Sequence, residues 1–150
     1  VAMPVCGAAD IIGKRVLVEG TLPRAAYGGQ AVEAGASALG NTLTLSETAE
    51  VLGIAYGGFS LSGSAQQNTL EIAPGSVAAV EVYGGHVSRG TGTAAGNAVR
   101  MNGGLVKGDL YGGYTAAGTA QGYWQSFAWC WYWPAALLLA TREDWDPVLP

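Results

Sequence analysis

Three short runs of alternating apolar and polar residues recur along the middle of the chain, and each begins with an asparagine. They start at Asn41, Asn68 and Asn97 and read Asn-Thr-Leu-Thr-Leu, Asn-Thr-Leu-Glu-Ile and Asn-Ala-Val-Arg-Met. Alternation with a period of two indicates a β-strand that buries one face and exposes the other. The positions predicted to be buried are Leu43, Leu45, Leu70, Ile72, Val99 and Met101.

A Tyr-Gly-Gly motif recurs four times in step with these runs. It begins at Tyr27, Tyr56, Tyr83 and Tyr111, at spacings of 29, 27 and 28 residues. The glycines of the motif are Gly28, Gly29, Gly57, Gly58, Gly84, Gly85, Gly112 and Gly113. A further apolar run precedes each of the last three copies. One unit of this length cannot bury its own apolar side, but stacked units can, which is the behaviour of a solenoid.

The repeated residues suggest specific roles. By parity the three asparagines point inward, where stacked amides can bond to one another as a ladder; alternatively, they only start strands from left-handed turn positions. The glycine pairs are predicted to adopt positive φ and turn the chain sharply between faces. The tyrosines are predicted to stack on their equivalents in adjacent coils, with an exposed carbohydrate-binding row as the alternative.

The repeat divides the chain into three parts. Residues 1–21 are predicted to form an N-terminal strand or cap, with Val16 and Val18 facing inward, and residues 22–122 the repeat solenoid. Residues 123–150 break the pattern and hold every tryptophan: Trp124, Trp129, Trp131, Trp133 and Trp145. This tail is interpreted as an aromatic cap that protects the last coil. The alternatives are a membrane-facing or oligomer-forming segment, or an altered reading frame.

Composition supports an all-β domain. The chain has 24 glycines among 150 residues and is 12% charged and 49% apolar, which is too apolar for a disordered segment. Its net charge is −4 and its seven Lys and Arg residues are scattered, so a nucleic-acid partner is not expected. The apolar stretch 127–140 is too short for a membrane span. Cys6 and Cys130 match no zinc or redox spacing, and no disulfide is assigned.

The Tyr-Gly-Gly motif, the small-residue interval that follows it and the Asn-Thr-Leu or Asn-Ala-Val run together resemble repeats of bacterial autotransporter passengers and haemagglutinin-like adhesins. The resemblance covers residues 22–122. It implies a right-handed parallel β-helix, here of about four to five coils, that is secreted or displayed on a bacterial cell surface. The implied function is adhesion or self-association through the solenoid ends or the Trp-rich tail, with host glycans or protein receptors as partners.

The sequence nominates no catalytic, cofactor-binding or metal-ligating residues, and an enzyme is not expected. His86 follows the third Tyr-Gly-Gly with no evident partner and is interpreted as a loop residue. A β-helix polysaccharide lyase or hydrolase is the first alternative, because Glu81 and Asp109 should stack about 4.8 Å apart in adjacent coils, where paired acids could bind Ca²⁺; Glu71 is a third candidate. An ice-binding solenoid is the second alternative, suggested by Thr42, Thr44 and Thr69.

Overall fold

The structure, a computed structural model, describes residues 6–7 and 10–126, and the side chains of residues 10–120. All regular elements in this part of the chain are β-strands. In chain order they are β1 (Cys6–Gly7), β2 (Ile11–Ile12), β3 (Arg15–Val18), β4 (Thr21–Leu22), β5 (Ala26–Ala31), β6 (Ala38–Leu39), β7 (Thr42–Leu45), β8 (Glu50–Val51), β9 (Ala55–Ser60), β10 (Ala65–Gln66), β11 (Thr69–Ile72), β12 (Val77–Ala78), β13 (Val82–Val87), β14 (Ala94–Met101), β15 (Leu105–Val106), β16 (Leu110–Thr115) and β17 (Ala120–Ser126).

The strands form three parallel sheets, which the chain visits in turn. The asparagine sheet contains β2, β3, β6, β7, β10, β11, β14 and β17; the short sheet contains β4, β8, β12 and β15; and the YGG sheet contains β1, β5, β9, β13 and β16. Each strand pairs with the equivalent strand one coil away, as β7 does with β11. The described residues therefore form a β-solenoid of about four turns, and the predicted all-β parallel architecture is confirmed.

Equivalent residues lie over one another along the solenoid. Leu43 is in register with Leu70, and Leu70 with Val99. Four such columns of aliphatic side chains line the interior, each with one residue from four successive coils. The columns are Val16, Leu43, Leu70 and Val99; Val18, Leu45, Ile72 and Met101; Leu22, Val51, Ala78 and Val106; and Ala26, Ala55, Val82 and Leu110. Burial of these aliphatic columns supplies the main stabilisation, at roughly 25 cal/mol per Å² of apolar surface. The alternation read from the sequence is thereby confirmed.

The three asparagines form a buried hydrogen-bonded ladder. The Asn41 amide nitrogen donates to Asn68 Oδ1 at 3.0 Å, and that of Asn68 donates to Asn97 Oδ1 at 3.0 Å. The same two oxygens accept the backbone N–H groups of Asn41 and Asn68, both at 2.9 Å. All three side chains are completely buried. These hydrogen bonds confirm the ladder interpretation. The alternative required left-handed asparagines, but among the described residues Gln67 is the only non-glycine residue with a positive φ, so that alternative was wrong.

The glycines of the Tyr-Gly-Gly motif do not turn the chain, so that prediction was wrong. They lie within strands of the YGG sheet, and none of them has a positive φ. Their role is to leave space: a Cβ at Gly29 would lie 2.5 Å from Cγ of Asn41. Gly58 and Gly85 face Asn68 and Asn97 in the same way. A glycine opposite each asparagine therefore makes room for the ladder.

A strand of the asparagine sheet lies at each end of the repeat region, β3 at the N-terminal end and β17 at the C-terminal end. At the N-terminal end, β3 pairs with β7 and places Val16 and Val18 in register with Leu43 and Leu45, which confirms that this strand stacks beneath the repeats. At the C-terminal end, the backbone of β17 pairs with β14 as far as Ser126. The rest of the proposed aromatic cap, four of the five tryptophans and Cys130 lie outside the described residues, so the cap remains a prediction.

Candidate functional site: the aromatic face

An irregularity in β5, β9, β13 and β16 brings two positions of each strand to the outer face, and every one of these positions except Gln30 carries a ring. In β9, Ala55, Gly58 and Ser60 face the interior, while Tyr56 and Phe59 face outward and their rings lie 5.2 Å apart. In a regular strand, residues three apart would lie on opposite faces. Register pairing continues on both sides of the first motif glycine but omits it. The local departure from alternation therefore builds a two-column aromatic face.

The first column consists of the motif tyrosines, stacked across four coils. Ring centroids are 5.0 Å apart for Tyr27 and Tyr56, 5.4 Å for Tyr56 and Tyr83, and 4.9 Å for Tyr83 and Tyr111. The interplanar angles are 6°, 12° and 8°. The predicted stack is confirmed. Because each inner ring is covered on both faces by its neighbours, Tyr56 and Tyr83 are buried, with 8% and 6% of their surface accessible.

The second column consists of the residues three positions after each motif tyrosine: Gln30, Phe59, His86 and Tyr114. The His86 ring stacks between Phe59, at 5.5 Å, and Tyr114, at 4.7 Å. It also meets Tyr56 and Tyr83 edge-on at 5.2 and 4.6 Å. His86 therefore lies within strand β13 and not in a loop, which corrects the sequence interpretation. A planar side chain at this position in three of four copies was the signal that could have revealed the column.

Burial among these rings suppresses protonation of His86. Its Nδ1 is buried and has no hydrogen-bond partner among the described residues. Desolvation lowers the pKa of the imidazole to about 4. At neutral pH His86 is thus an uncharged member of an aromatic column, and a general acid or base that works near pH 7 is not expected here.

The depressed pKa of His86 predicts acid sensitivity. An unfolded chain binds a proton at His86 below about pH 6.5, whereas the folded chain resists protonation until about pH 4, so stability falls as the pH drops between these values. With allowance for the partly exposed ring, we expect a loss of about 1–2 kcal/mol at about pH 5 relative to about pH 7.5. Urea denaturation at the two pH values measures it.

His86→Phe is the matched control for this measurement, because Phe59 occupies the same position one coil earlier. The variant should lose the His86 contribution, so its stability should change less than that of the parent between the two pH values. Equal pH dependence in the parent and in His86→Phe would contradict the assignment.

Two carboxylates lie beside the tyrosine column. The hydroxyl of Tyr83 donates to Oε2 of Glu81 at 3.1 Å, and that of Tyr111 donates to Oδ2 of Asp109 at 3.4 Å. The register places Glu81 and Asp109 in adjacent coils, as predicted, with the backbone N–H of Val82 bonded to the Asp109 carbonyl. Burial, followed by the charge of Glu81, raises the pKa of Tyr83 far above its usual value of 10.0. Each acid is thus engaged by the tyrosine of its own coil.

The other candidate residues lie on the outer face of the asparagine sheet. Thr42 and Thr69 are register partners, but Arg15 precedes them and Ala98 follows. Glu71 lies in β11 of the asparagine sheet, where Thr44 Oγ1 donates to its Oε1 at 3.3 Å, whereas Glu81 directly precedes β13 of the YGG sheet. Among the described residues, no three His, Cys, Asp or Glu side chains cluster closely enough to hold a metal ion.

Comparison of the chain with protein-family models, with curated proteins and with solved structures gave no match. Within residues 6–7 and 10–126, no helix is long and apolar enough to cross a membrane. The aromatic face is therefore interpreted from its own geometry and from the repeat pattern.

Proposed function

We propose that the protein is a structural segment of a secreted or bacterial surface-displayed passenger, and that it acts as an adhesin by presenting the aromatic face to host ligands or to other copies of itself. The supporting observation is the continuity of that face: four tyrosines stack in one line along the solenoid at spacings of 4.9–5.4 Å. A rigid line of equivalent groups offers a repetitive partner many weak contacts at once, and linked contacts add to give avidity.

The geometry favours contacts with the second column and with the carboxylates. Tyr56 and Tyr83 are buried, whereas Phe59 and His86 are partly exposed and Tyr114 is exposed. A host glycan, a protein receptor or a second copy of the chain would therefore contact the second column and the carboxylates of Glu81 and Asp109 rather than the faces of the inner tyrosines. Tyr114 is the most exposed ring of the face, with 36% of its surface accessible.

Adhesion by displayed protein tests the proposal. The chain is displayed on a non-adherent bacterial cell, and binding to host cells and cell–cell aggregation are counted. The test variant carries Phe59→Gln, His86→Gln and Tyr114→Gln together, since Gln30 already occupies this column. With several linked contacts removed, we expect binding or aggregation to fall by about tenfold or more.

The matched control places three substitutions on the asparagine sheet instead: Arg15→Gln, Thr42→Gln and Thr69→Gln, which follow one register line. This variant should adhere like the parent. Equal loss in both variants would show that the aromatic face is not the contact surface. A parent chain that binds neither host cells nor itself would refute the adhesive function altogether.

A further inference from the structure

Tyr83 and Tyr111 combine two features that favour one-electron chemistry. Their rings are nearly parallel, with centroids 4.9 Å apart and an interplanar angle of 8°. Each hydroxyl also donates to a carboxylate two residues earlier in the chain, Glu81 or Asp109. The pair therefore has close ring contact and a proton acceptor at both phenols.

A phenol that loses one electron becomes strongly acidic and must release its proton. Burial and the nearby Glu81 carboxylate raise the pKa of Tyr83, so this phenol is protonated at neutral pH and its electron and proton must leave together. A base that accepts such a proton lies within hydrogen-bond reach in the reacting state, about 2.6–3.2 Å, and is often somewhat farther away before reaction. Oε2 of Glu81 meets this requirement at 3.1 Å, and Oδ2 of Asp109 lies slightly beyond it at 3.4 Å.

We propose that Tyr83 and Tyr111 form an oxidative cross-linking site, at which an oxidant of the peroxide class joins the two rings as dityrosine and covalently ties two adjacent coils together. The proposal concerns modification of the scaffold and is independent of adhesion. A covalent cross-link between coils would resist unfolding of the solenoid from an exposed end, because each repeat contacts only its neighbours.

Each phenol gives one electron to the oxidant and one proton to its carboxylate, which produces two phenoxyl radicals. The radicals couple through their ortho carbons to form one C–C bond. Each ortho carbon then releases its proton to solvent, and each carboxylate returns a proton to its phenol oxygen, so that the rings regain aromaticity and the phenols are restored. With peroxydisulfate as the oxidant, the two electrons break its O–O bond and yield two sulfate ions. The product is two hydrogen atoms lighter than the parent chain.

The chain contains its own comparison pair. Tyr27 and Tyr56 stack almost as closely, at 5.0 Å and 6°. The residues two positions before them are Ala25 and Ile54, so this pair lacks the carboxylate that the repeat carries at the same position before Tyr83 and Tyr111. Ring stacking alone would cross-link both pairs equally, whereas proton transfer to the carboxylate at this position favours Tyr83 and Tyr111.

Photo-oxidation with tris(bipyridyl)ruthenium(II) and peroxydisulfate, followed by denaturation, trypsin digestion and mass spectrometry, tests the site on the full chain at low protein concentration. Trypsin cuts after Arg24, Arg89, Lys107 and Arg142, so Tyr83 falls in fragment 25–89 and Tyr111 in fragment 108–142. A Tyr83–Tyr111 bond joins these two fragments, whereas a Tyr27–Tyr56 or a Tyr56–Tyr83 bond closes a loop inside 25–89, and fragmentation distinguishes the two loops. We expect the joined fragments to dominate, with fragmentation placing the link at Tyr83 and Tyr111.

Two variants test whether the Tyr83 phenol and the two carboxylates take part in the cross-linking. Tyr83→Phe keeps a stacked ring but should abolish the joined product. Glu81→Gln combined with Asp109→Asn keeps the polar contacts without a proton-accepting carboxylate and should lower the yield by about tenfold or more, in line with the loss of a positioned base. The proposal is overturned if the Tyr27–Tyr56 loop forms as readily as the joined fragments in the parent chain, if the double carboxylate variant cross-links normally, or if only chain-to-chain products appear.

Discussion

Replacing Asn68 by Ala is expected to destabilise the solenoid by about 3–5 kcal/mol, because several buried polar groups lose their partners together. Asn68 lies in the middle of the ladder and is completely buried. Its Oδ1 accepts two hydrogen bonds from Asn41, and its amide donates to the carbonyl of Ala38 and to Oδ1 of Asn97. Each buried group left unsatisfied costs about 1–3 kcal/mol. Urea denaturation followed by far-ultraviolet circular dichroism measures the loss.

Asn102→Ala is the matched control for this measurement. Asn102 is exposed at a bend, and its backbone N–H donates to the Ile72 carbonyl, a bond that the substitution keeps. The control should change stability by no more than about 0.5 kcal/mol. If Asn68→Ala and Asn102→Ala had the same effect, the ladder would contribute nothing to stability, and the packing of the aliphatic columns would have to account for the fold alone.

The ladder could be predicted from the sequence because parity and period are enough to place it. Asn41, Asn68 and Asn97 stand two residues before an inward-facing aliphatic residue, and the nearly constant period places them in successive coils. Neither inference needs knowledge of the other sheets. The same reasoning correctly placed the stacked tyrosines and the strand containing Val16 and Val18.

The role of the glycines could not be predicted in this way, because it depends on a contact between two sheets. A Gly-Gly pair indicates a turn in most sequences. Here Gly58 lies opposite Asn68 only because the YGG sheet packs across the interior against the asparagine sheet. The aromatic face was missed for a related reason. The irregularity at the first glycine breaks the period of two, so His86 could not be assigned to the same face as Tyr83 from alternation alone.

Gly58→Ala is expected to destabilise the protein by about 3 kcal/mol or more, since overpacking a filled interior costs about 1–3 kcal/mol before the loss of ladder hydrogen bonds is added. The added Cβ would overlap the side-chain amide of Asn68. Gly40→Ala is the control: Gly40 has a φ of 64°, and an added Cβ there would meet nothing within 4 Å. Backbone strain alone then costs about 1 kcal/mol. Gln67, with a φ of 56°, already shows an L residue at the equivalent position.

A double-mutant cycle separates a steric clash from a general weakness of the YGG strand. In Gly58→Ala combined with Asn68→Ala, the shortened side chain at position 68 vacates the space that the new methyl group needs. The cost of the double variant should therefore fall short of the sum of the single costs by about 1–3 kcal/mol, the coupling expected of residues in direct contact. Additive costs would mean that Gly58 acts through its own backbone and not through the asparagine it faces, and the explanation given for the repeated glycine would then fail.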